Sequence, residues 1–262
     1  MVQQRASQQE RLGFGIDVGG TGMKGGIVDL TTGKLVGKRF RMPTPKPSLP
    51  EAVAEVAAAI YSELRSREGA PLDDAPLGIA VPCIVHHGVA RSAANVDKSF
   101  IGTDLVQLFG KTLGRDVVML NDADAAGLAE GEYGAGRNVP GSVMTLTLGT
   151  GIGSALLFNG QLVPNFELGH LEFNGAEAEA TTSAAARERE ELPWDQYAQR
   201  LSAFLRHLEF LFSPELFILG GGISKNPERF VPMIDIDTEL KVATNANNAG
   251  IIGAALQASR IR

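Results

Sequence analysis

The segment Asp17-Val-Gly-Gly-Thr-Gly-Met-Lys24 and its altered recurrence, Leu148-Gly-Thr-Gly-Ile-Gly153, constrain the fold of this 262-residue chain more than any other feature. Each copy lies between two apolar runs of strand length: residues 12–16 and 25–30 flank the first, 143–147 and 154–158 the second. A glycine-rich turn between strands presents successive backbone N–H groups as an anion-binding nest. Glycine also permits positive φ and lets phosphate oxygens approach the main chain closely. Thr21 and Thr150 add hydroxyl donors, and Lys24 adds a positive charge. One such motif reads most simply as a tight hairpin. Two copies in equivalent contexts, with a third glycine run at Gly220-Gly221-Gly222 after another apolar strand, predict a chain that holds phosphate. The spacing is not that of a P-loop. A hairpin instead of a long helix follows the first turn, so it is not a dinucleotide-binding fingerprint either.

The apolar content of 44% and the 21% of charged residues suit a globular chain able to bury a core, as one large domain or two small ones. The 31 glycines exceed the ordinary ~7% share and cluster in the turns described. A net charge of −6 gives no reason to expect a nucleic-acid or membrane partner. Cys83 is the sole cysteine, which rules out an internal disulfide and a multi-cysteine zinc site. Residues 1–11 are polar and lack the apolar core of a signal peptide, and no apolar run reaches the ~20 residues of a membrane span. The expected compartment is the cytoplasm.

Strands are predicted over 12–18, 25–30 and 34–42 as a meander, and over 77–81 and 117–120. Ser48-Leu-Pro-Glu51 has the form of a capping box opening a helix to residue 67, with Val53, Val56, Ile60 and Leu64 on one face. Asp122 or Asp124 would cap a helix through residue 132. Residues 177–191 read as a charged, exposed helix, 194–212 as an amphipathic one, 216–219 as a strand and 249–258 as a small apolar closing helix. The meander followed by alternating helices and strands, given twice, predicts an α/β protein of two related lobes with a ligand cleft between them. The expected division places residues 1–121 with the C-terminal helix 247–262 in a smaller lobe and 122–246 in a larger one.

Asn121-Asp122 ends a buried strand. Asp122 suits two roles: a base that orients an attacking hydroxyl and takes its proton, or a helix cap. Glu167-Leu-Gly-His-Leu-Glu172 gathers two carboxylates and an imidazole. Such a set can hydrogen-bond vicinal hydroxyls, hold a metal, or include a purely structural histidine; the absence of a His-Glu-x-x-His pattern disfavours the metal. Residues 92–98 read as a polar surface loop, and Lys34, Lys38, Arg39 and Arg41 as the solvated face of a strand.

Together these motifs resemble the ROK family of sugar kinases, within the actin, hexokinase and Hsp70-like superfamily. The likeness runs from about residue 13 to 253 and is greatest toward the polyphosphate-using glucokinases. It is carried by Ala93-Ala-Asn-Val-Asp-Lys-Ser99, Glu167-Leu-Gly-His-Leu-Glu172 and Phe217-Ile-Leu-Gly-Gly-Gly-Ile-Ser-Lys225. The resemblance implies a duplicated actin/hexokinase-like (ribonuclease H-like) fold and transfer of phosphate from polyphosphate or ATP to the 6-hydroxyl of glucose, with mannose as a further acceptor. It implies a first phosphate loop of Asp17, Gly19, Gly20, Thr21, Gly22 and Lys24, with Asp17 near magnesium-bound phosphates. Gly149, Thr150 and Gly151 would form the second loop, and Gly220, Gly221 and Gly222 would lie beside a nucleoside. Asn95, Asn121, Asp122, Glu167, His170 and Glu172 would bind the hexose, with Asp122 as base. Mg²⁺ is implied as cofactor. Zinc is not expected, because Phe173-Asn-Gly-Ala stands where many relatives carry a cysteine-rich motif. Cys83 replaces a usual glycine near the sugar loop, and Phe100 a common tryptophan. A monomer or homodimer is expected. An ATP-only kinase for another hexose is the alternative. A sugar-sensing regulator of the same family would carry a DNA-binding segment before the first turn, where this chain has only a short polar tail before Leu12.

Overall fold

The computed structural model describes residues 11–261; the polar segment 1–10 lies outside the described residues. The chain forms two compact units. One runs to Ala129 and resumes at Asn248, and the other spans Glu130–Asn247.

In the first unit β1 (Leu12–Val18), β2 (Gly22–Asp29) and β3 (Lys34–Pro43) form an antiparallel meander. Helix α1 (Pro50–Arg65) leads to β4 (Leu77–Val81), which pairs parallel to β1. A small ribbon of β5 (Val85–His86) and β6 (Val89–Ala90) precedes α2 (Leu105–Leu113) and β7 (Val118–Asn121). β7 pairs parallel to β4, giving the sheet order β3-β2-β1-β4-β7.

The alternation along β1 decides what covers each face of that sheet. Phe14, Ile16 and Val18 are fully buried, and Phe14 meets Tyr61 of α1 edge-on at 5.1 Å. The intervening row is Gly13, Gly15 and Asp17. Onto it lies the last helix of the chain, which follows the second unit's elements in sequence and also belongs to the first unit. A Cβ at Gly15 would fall 1.9 Å from the Ile251 carbonyl oxygen, and one at Gly78 of β4 1.9 Å from that of Ala254. Glycine is therefore required where helix and sheet touch backbone to backbone.

The chain continues from β7 into α3 (Asp122–Tyr133). In the second unit β8 (Ser142–Leu148), β9 (Ile152–Phe158) and β10 (Gln161–Val163) form another antiparallel meander. A ribbon of β11 (Glu172–Phe173) and β12 (Ala176–Glu177) follows, then α4 (Ala178–Thr182), α5 (Ala184–Arg189) and α6 (Trp194–Phe212). β13 (Leu216–Gly220) pairs parallel to β8, and β14 (Glu239–Val242) parallel to β13. The order β10-β9-β8-β13-β14 repeats the first sheet strand for strand. Leu201, Phe204, Leu205 and Leu208 of α6 join Met144, Leu146 and Leu148 of β8 in one buried cluster. The last helix is α7 (Ala249–Arg260).

Three local expectations need correction. The capping box at Ser48 does not form: Leu49 is the N-cap, with no side-chain bond, and the Ser48 hydroxyl accepts the Asp97 N–H at 3.1 Å instead. A loop partner has captured the oxygen that local sequence would give to the helix. At α3 it is Asn121 that caps, accepting from Ala123 and Asp124 N–H at 2.8 and 3.1 Å. Residues 177–191 are not one exposed helix. Ser183 ends α4 and its side chain caps α5, and Ala178, Thr182, Ser183 and Ala186 are buried.

Among the described residues no helix is long and apolar enough to cross a membrane.

Candidate active site

The first glycine turn spans residues 19–22 between the last paired positions of β1 and β2, Val18 and Met23, and Gly22 also opens β2. Gly19 N–H donates to Gly22 O at 3.3 Å, and the Thr44 hydroxyl donates to Gly19 O. Thr21 is exposed at the tip. Two polar side chains rest on the turn where glycine leaves room. A Cβ at Gly20 would lie 2.9 Å from that of Asn95, and one at Gly22 would lie 2.6 Å from an Arg41 guanidinium nitrogen. Asn95 itself takes a left-handed conformation, φ 60°. The structure thus brings Asn95 to the first glycine turn, and adds Arg41, which sequence pattern assigned to a solvated strand face.

Asp17 follows Gly15 in the row facing α7, which sets its carboxylate beside the first turn of that helix. A Cβ at Gly250 would lie 2.8 Å from Asp17 Cγ. A carboxylate there is favoured by the unpaired N–H groups and the helix dipole. Lys24, its cross-strand partner, donates to Asp17 Oδ2 at 3.4 Å. Burial nonetheless raises the Asp17 carboxyl above its ordinary range, outweighing Lys24 and Arg39.

Asn121 and Asp122 stand where β7 passes into α3. Asn121 is buried, and its amide also donates to the Cys83 carbonyl at 3.2 Å, tying this strand end to the loop after β4. Asp122 is half-buried, and its Oδ1 accepts its neighbour Ala123 N–H at 2.8 Å. Because Asn121 supplies the cap, Asp122 is not needed for it.

The second glycine turn, residues 149–151, joins β8 to β9 with Leu148 paired to Ile152. Gly149 N–H donates to Gly151 O at 3.0 Å, and Thr150 is exposed. Gly221, φ 84°, lets the end of β13 pack on the Leu148 main chain, where a Cβ would sit 2.5 Å from the carbonyl oxygen. The third glycine run therefore adjoins the second turn.

Ser154 of β9 clamps the Glu167–His170 segment. Its hydroxyl donates to Phe166 O at 2.8 Å and accepts Leu168 N–H at 2.9 Å. Gly169 packs on β9, with room for no Cβ against the Ile152 carbonyl at 2.4 Å. Glu167 is partly buried, and burial raises its carboxyl; His170 opposes the rise and Glu179 adds to it. His170 is exposed, with Nδ1 3.3 Å from Glu177 and 3.9 Å from Glu179. Glu179 also accepts Ile152 N–H at 3.1 Å, directly after the second turn. The group in this unit is thus Glu167, His170, Glu177 and Glu179. Glu172 is exposed in the β11–β12 ribbon, and among the described residues no hydrogen bond or ion pair joins it to Glu167 or His170.

Sequence reasoning missed Glu179. The only local signal was the recurrence of small residues at 178, 182 and 186, one helical turn apart, which marks an inward-facing row in a segment otherwise charged. Ligand atoms of His170, Glu177 and Glu179 lie within 4.8 Å of one another. One imidazole and two carboxylates at that spacing suit either a divalent cation or the hydroxyls of a polyol.

A profile of the ROK family matches residues 13–181. The chain is 48% identical to the polyphosphate glucokinase of Mycobacterium tuberculosis (strain CDC 1551 / Oshkosh), over 94% of this chain and 91% of that one. It is 55% identical to the crystal structure of an inorganic polyphosphate/ATP-glucomannokinase from Arthrobacter sp. strain KM, with a TM-score of 0.91 over 96% of this chain and 99% of that one. A ROK family glucokinase from Streptomyces griseus shares the fold, with a TM-score of 0.78 at 23% identity over 95% and 99% of the two chains. The fold is the duplicated actin/hexokinase-like one that the family resemblance implies, and its two sheets of matching order are the two related α/β lobes expected from the repeated meander.

Proposed function

The chain belongs to the ROK family, and from that premise we propose that it is a hexose kinase moving a phosphoryl group from inorganic polyphosphate or ATP to the 6-hydroxyl of glucose, and of mannose. The observation that carries the reading is near full-length identity of 48% to a polyphosphate glucokinase and 55% to a polyphosphate/ATP-glucomannokinase. The two glycine hairpins and the carboxylate–imidazole group are consistent with it.

In this reading Gly19, Gly20, Thr21 and Gly22, with Lys24, hold donor phosphates, as do Gly149, Thr150 and Gly151, through the two threonine hydroxyls and the turn N–H groups that are not bonded within the hairpins, as those of Gly19 and Gly149 are. Such fixed donors stabilise charge on the transferring group without reorganising. Gly220, Gly221 and Gly222 border the nucleoside when ATP is the donor. Asp17 fits Mg²⁺, which ordinarily takes one or two carboxylates and keeps waters and phosphate oxygens for the rest. Its single carboxylate, beside the first turn, would hold the ion through water, and the ion would neutralise phosphate charge.

Asp122 orients the 6-hydroxyl and accepts its proton as the oxygen attacks phosphorus. Asn121 positions Asp122 through the cap it provides. Asn95, Glu167 and His170 bind the remaining hydroxyls. Glu172 belongs to that set by resemblance, and Glu179 joins it on the strength of its place beside Glu167 and His170. The cytoplasm, where hexose and both donors meet, is the proposed compartment, and a monomer or homodimer the proposed state.

The test offers glucose and mannose separately with ATP or polyphosphate plus Mg²⁺, and measures hexose 6-phosphate. Product from glucose with both donors is expected; no product in any combination overturns the reading. Asp122→Asn should retain glucose binding by calorimetry while kcat falls about 10²–10⁴-fold, and a near-normal kcat would remove Asp122 from the role of base.

A further inference from the structure

A cavity of roughly 450 Å³ opens beside the second glycine turn. Its lining combines Gly149 and Thr150 with Arg187, Trp194, Gly222 and Arg229. The main chain is bare there: a Cβ at Gly149 or Gly222 would meet no atom within 4 Å. Helix α5, which carries Arg187, is tied to the turn by Ala185 N–H donating to Gly149 O at 3.1 Å.

The aromatic surface in this cavity is already in use. Phe230 stacks on the Trp194 ring at 5.7 Å and 21°. The Arg187 guanidinium lies over the ring 3.7 Å from its centroid, and that of Arg229 4.7 Å away. Among the described residues neither arginine makes an ion pair, and Arg187 Nε is buried without a hydrogen-bond partner. Glu188, exposed, also lines the cavity, so two guanidiniums face one carboxylate there. An indole covered in this way offers poor stacking to a nucleobase. Two planar, permanently charged forks held by an aromatic platform suit phosphate oxygens instead.

We propose that this cavity binds the donor beyond the phosphates held at the glycine turn, that its ligand is a linear inorganic polyphosphate chain, and that Arg187 and Arg229 make the chain gain over a nucleotide. The proposal rests on the kinase reading above and adds to it a residue-level basis for donor choice. The net charge of −6 makes a local cationic subsite necessary for any polyanionic donor.

The variants are Arg229→Gln, at an exposed position, and Arg187→Lys, which keeps the charge and loses the fork. Each should raise KM for long-chain polyphosphate about ten- to a hundredfold, as expected for a lost charge-assisted hydrogen bond, and KM for ATP by less than about threefold. Trp194 is the only tryptophan, so its fluorescence reports the cavity directly. Titration of the wild-type protein with polyphosphate, without sugar, should change the emission in a salt-dependent way, and the Arg229→Gln change should need far more ligand. Equal losses with both donors, unchanged polyphosphate KM, or a silent Trp194 would overturn the proposal. A wild-type protein that forms no hexose phosphate from any donor would instead sink the kinase reading, and the fluorescence titration would still decide the cavity.

Discussion

Where β1 carries Asp17 opposite Lys24, β8 carries Thr147 opposite Gly153. The two hairpins occupy the same place in sheets of the same order, each at the turn of the first two strands of its meander. The first has a longer turn, an ion pair at its base and the first turn of α7 against its carboxylate. The second has a tighter turn and no charge in its own strands; its charged neighbours, Glu179 and Arg187, come from the helices α4 and α5. One step further back, Gly15 in β1 corresponds to Thr145 in β8. The first sheet gives up side chains so that α7 can lie on its backbone, while the second keeps a buried threonine there. The repeat therefore keeps the hairpin and lets its surroundings diverge. In the first unit charge is built into the sheet, and in the second it is brought in by the segment inserted after the meander.

That contrast can be broken by substitution. Gly15→Ala drives a methyl into the Ile251 carbonyl, and should destabilise the protein by about 3 kcal/mol or more in denaturant titration. A near-neutral result would mean that α7 does not rest on β1 as closely as described. Glu167→Gln tests the second unit by pH. Burial raises the folded-state carboxyl above its ordinary value near 4.5, so ionising it opposes folding. The stability the native Glu167 retains below its unfolded pKa is lost as pH rises through the raised folded one. The Gln variant should therefore gain in Tm over wild type at neutral pH, and that gain should vanish in acid. A gain that is equal at both ends would show that charge is not the cause. The smallest effect on folding belongs to Gly149→Ala. Its added methyl meets nothing, so stability should stay within about 0.5 kcal/mol of wild type, while KM for the donor rises because a methyl stands where phosphate oxygens would approach. A loss of stability there would make the glycine a requirement of the fold and not of the ligand.

Much of this architecture was legible in the sequence because it is backbone physics. The alternation of Phe14, Ile16 and Val18 with Gly13, Gly15 and Asp17 fixes a strand with two unlike faces, and the repeated glycine turns mark the duplication. What was hidden depends on partners distant in sequence. Ser48 has every local credential of a cap, yet its hydroxyl serves Asp97, 49 residues away. Glu130 looked like an ordinary helix residue. It is buried and accepts main-chain N–H groups of Ala135, Thr244 and Asn245, pinning the loop after β14. Glu179 and Arg187 sat in a run read as solvated, because its division at Ser183 follows from packing against the unit's core and not from helix propensity. The Glu167–His170 segment was recognisable by composition, but the Ser154 clamp that orients it was not.

Whether the first hairpin carries the charge chemistry of phosphoryl transfer is decided by Asp17→Asn. The measurement is the initial rate of glucose 6-phosphate formation over a Mg²⁺ titration, with ATP and with polyphosphate, at saturating glucose. A fall of about 10²-fold or more in kcat is expected with both donors, of the size seen when a group stabilising transition-state charge is removed. A wild-type rate at the same Mg²⁺ concentration with either donor would contradict it.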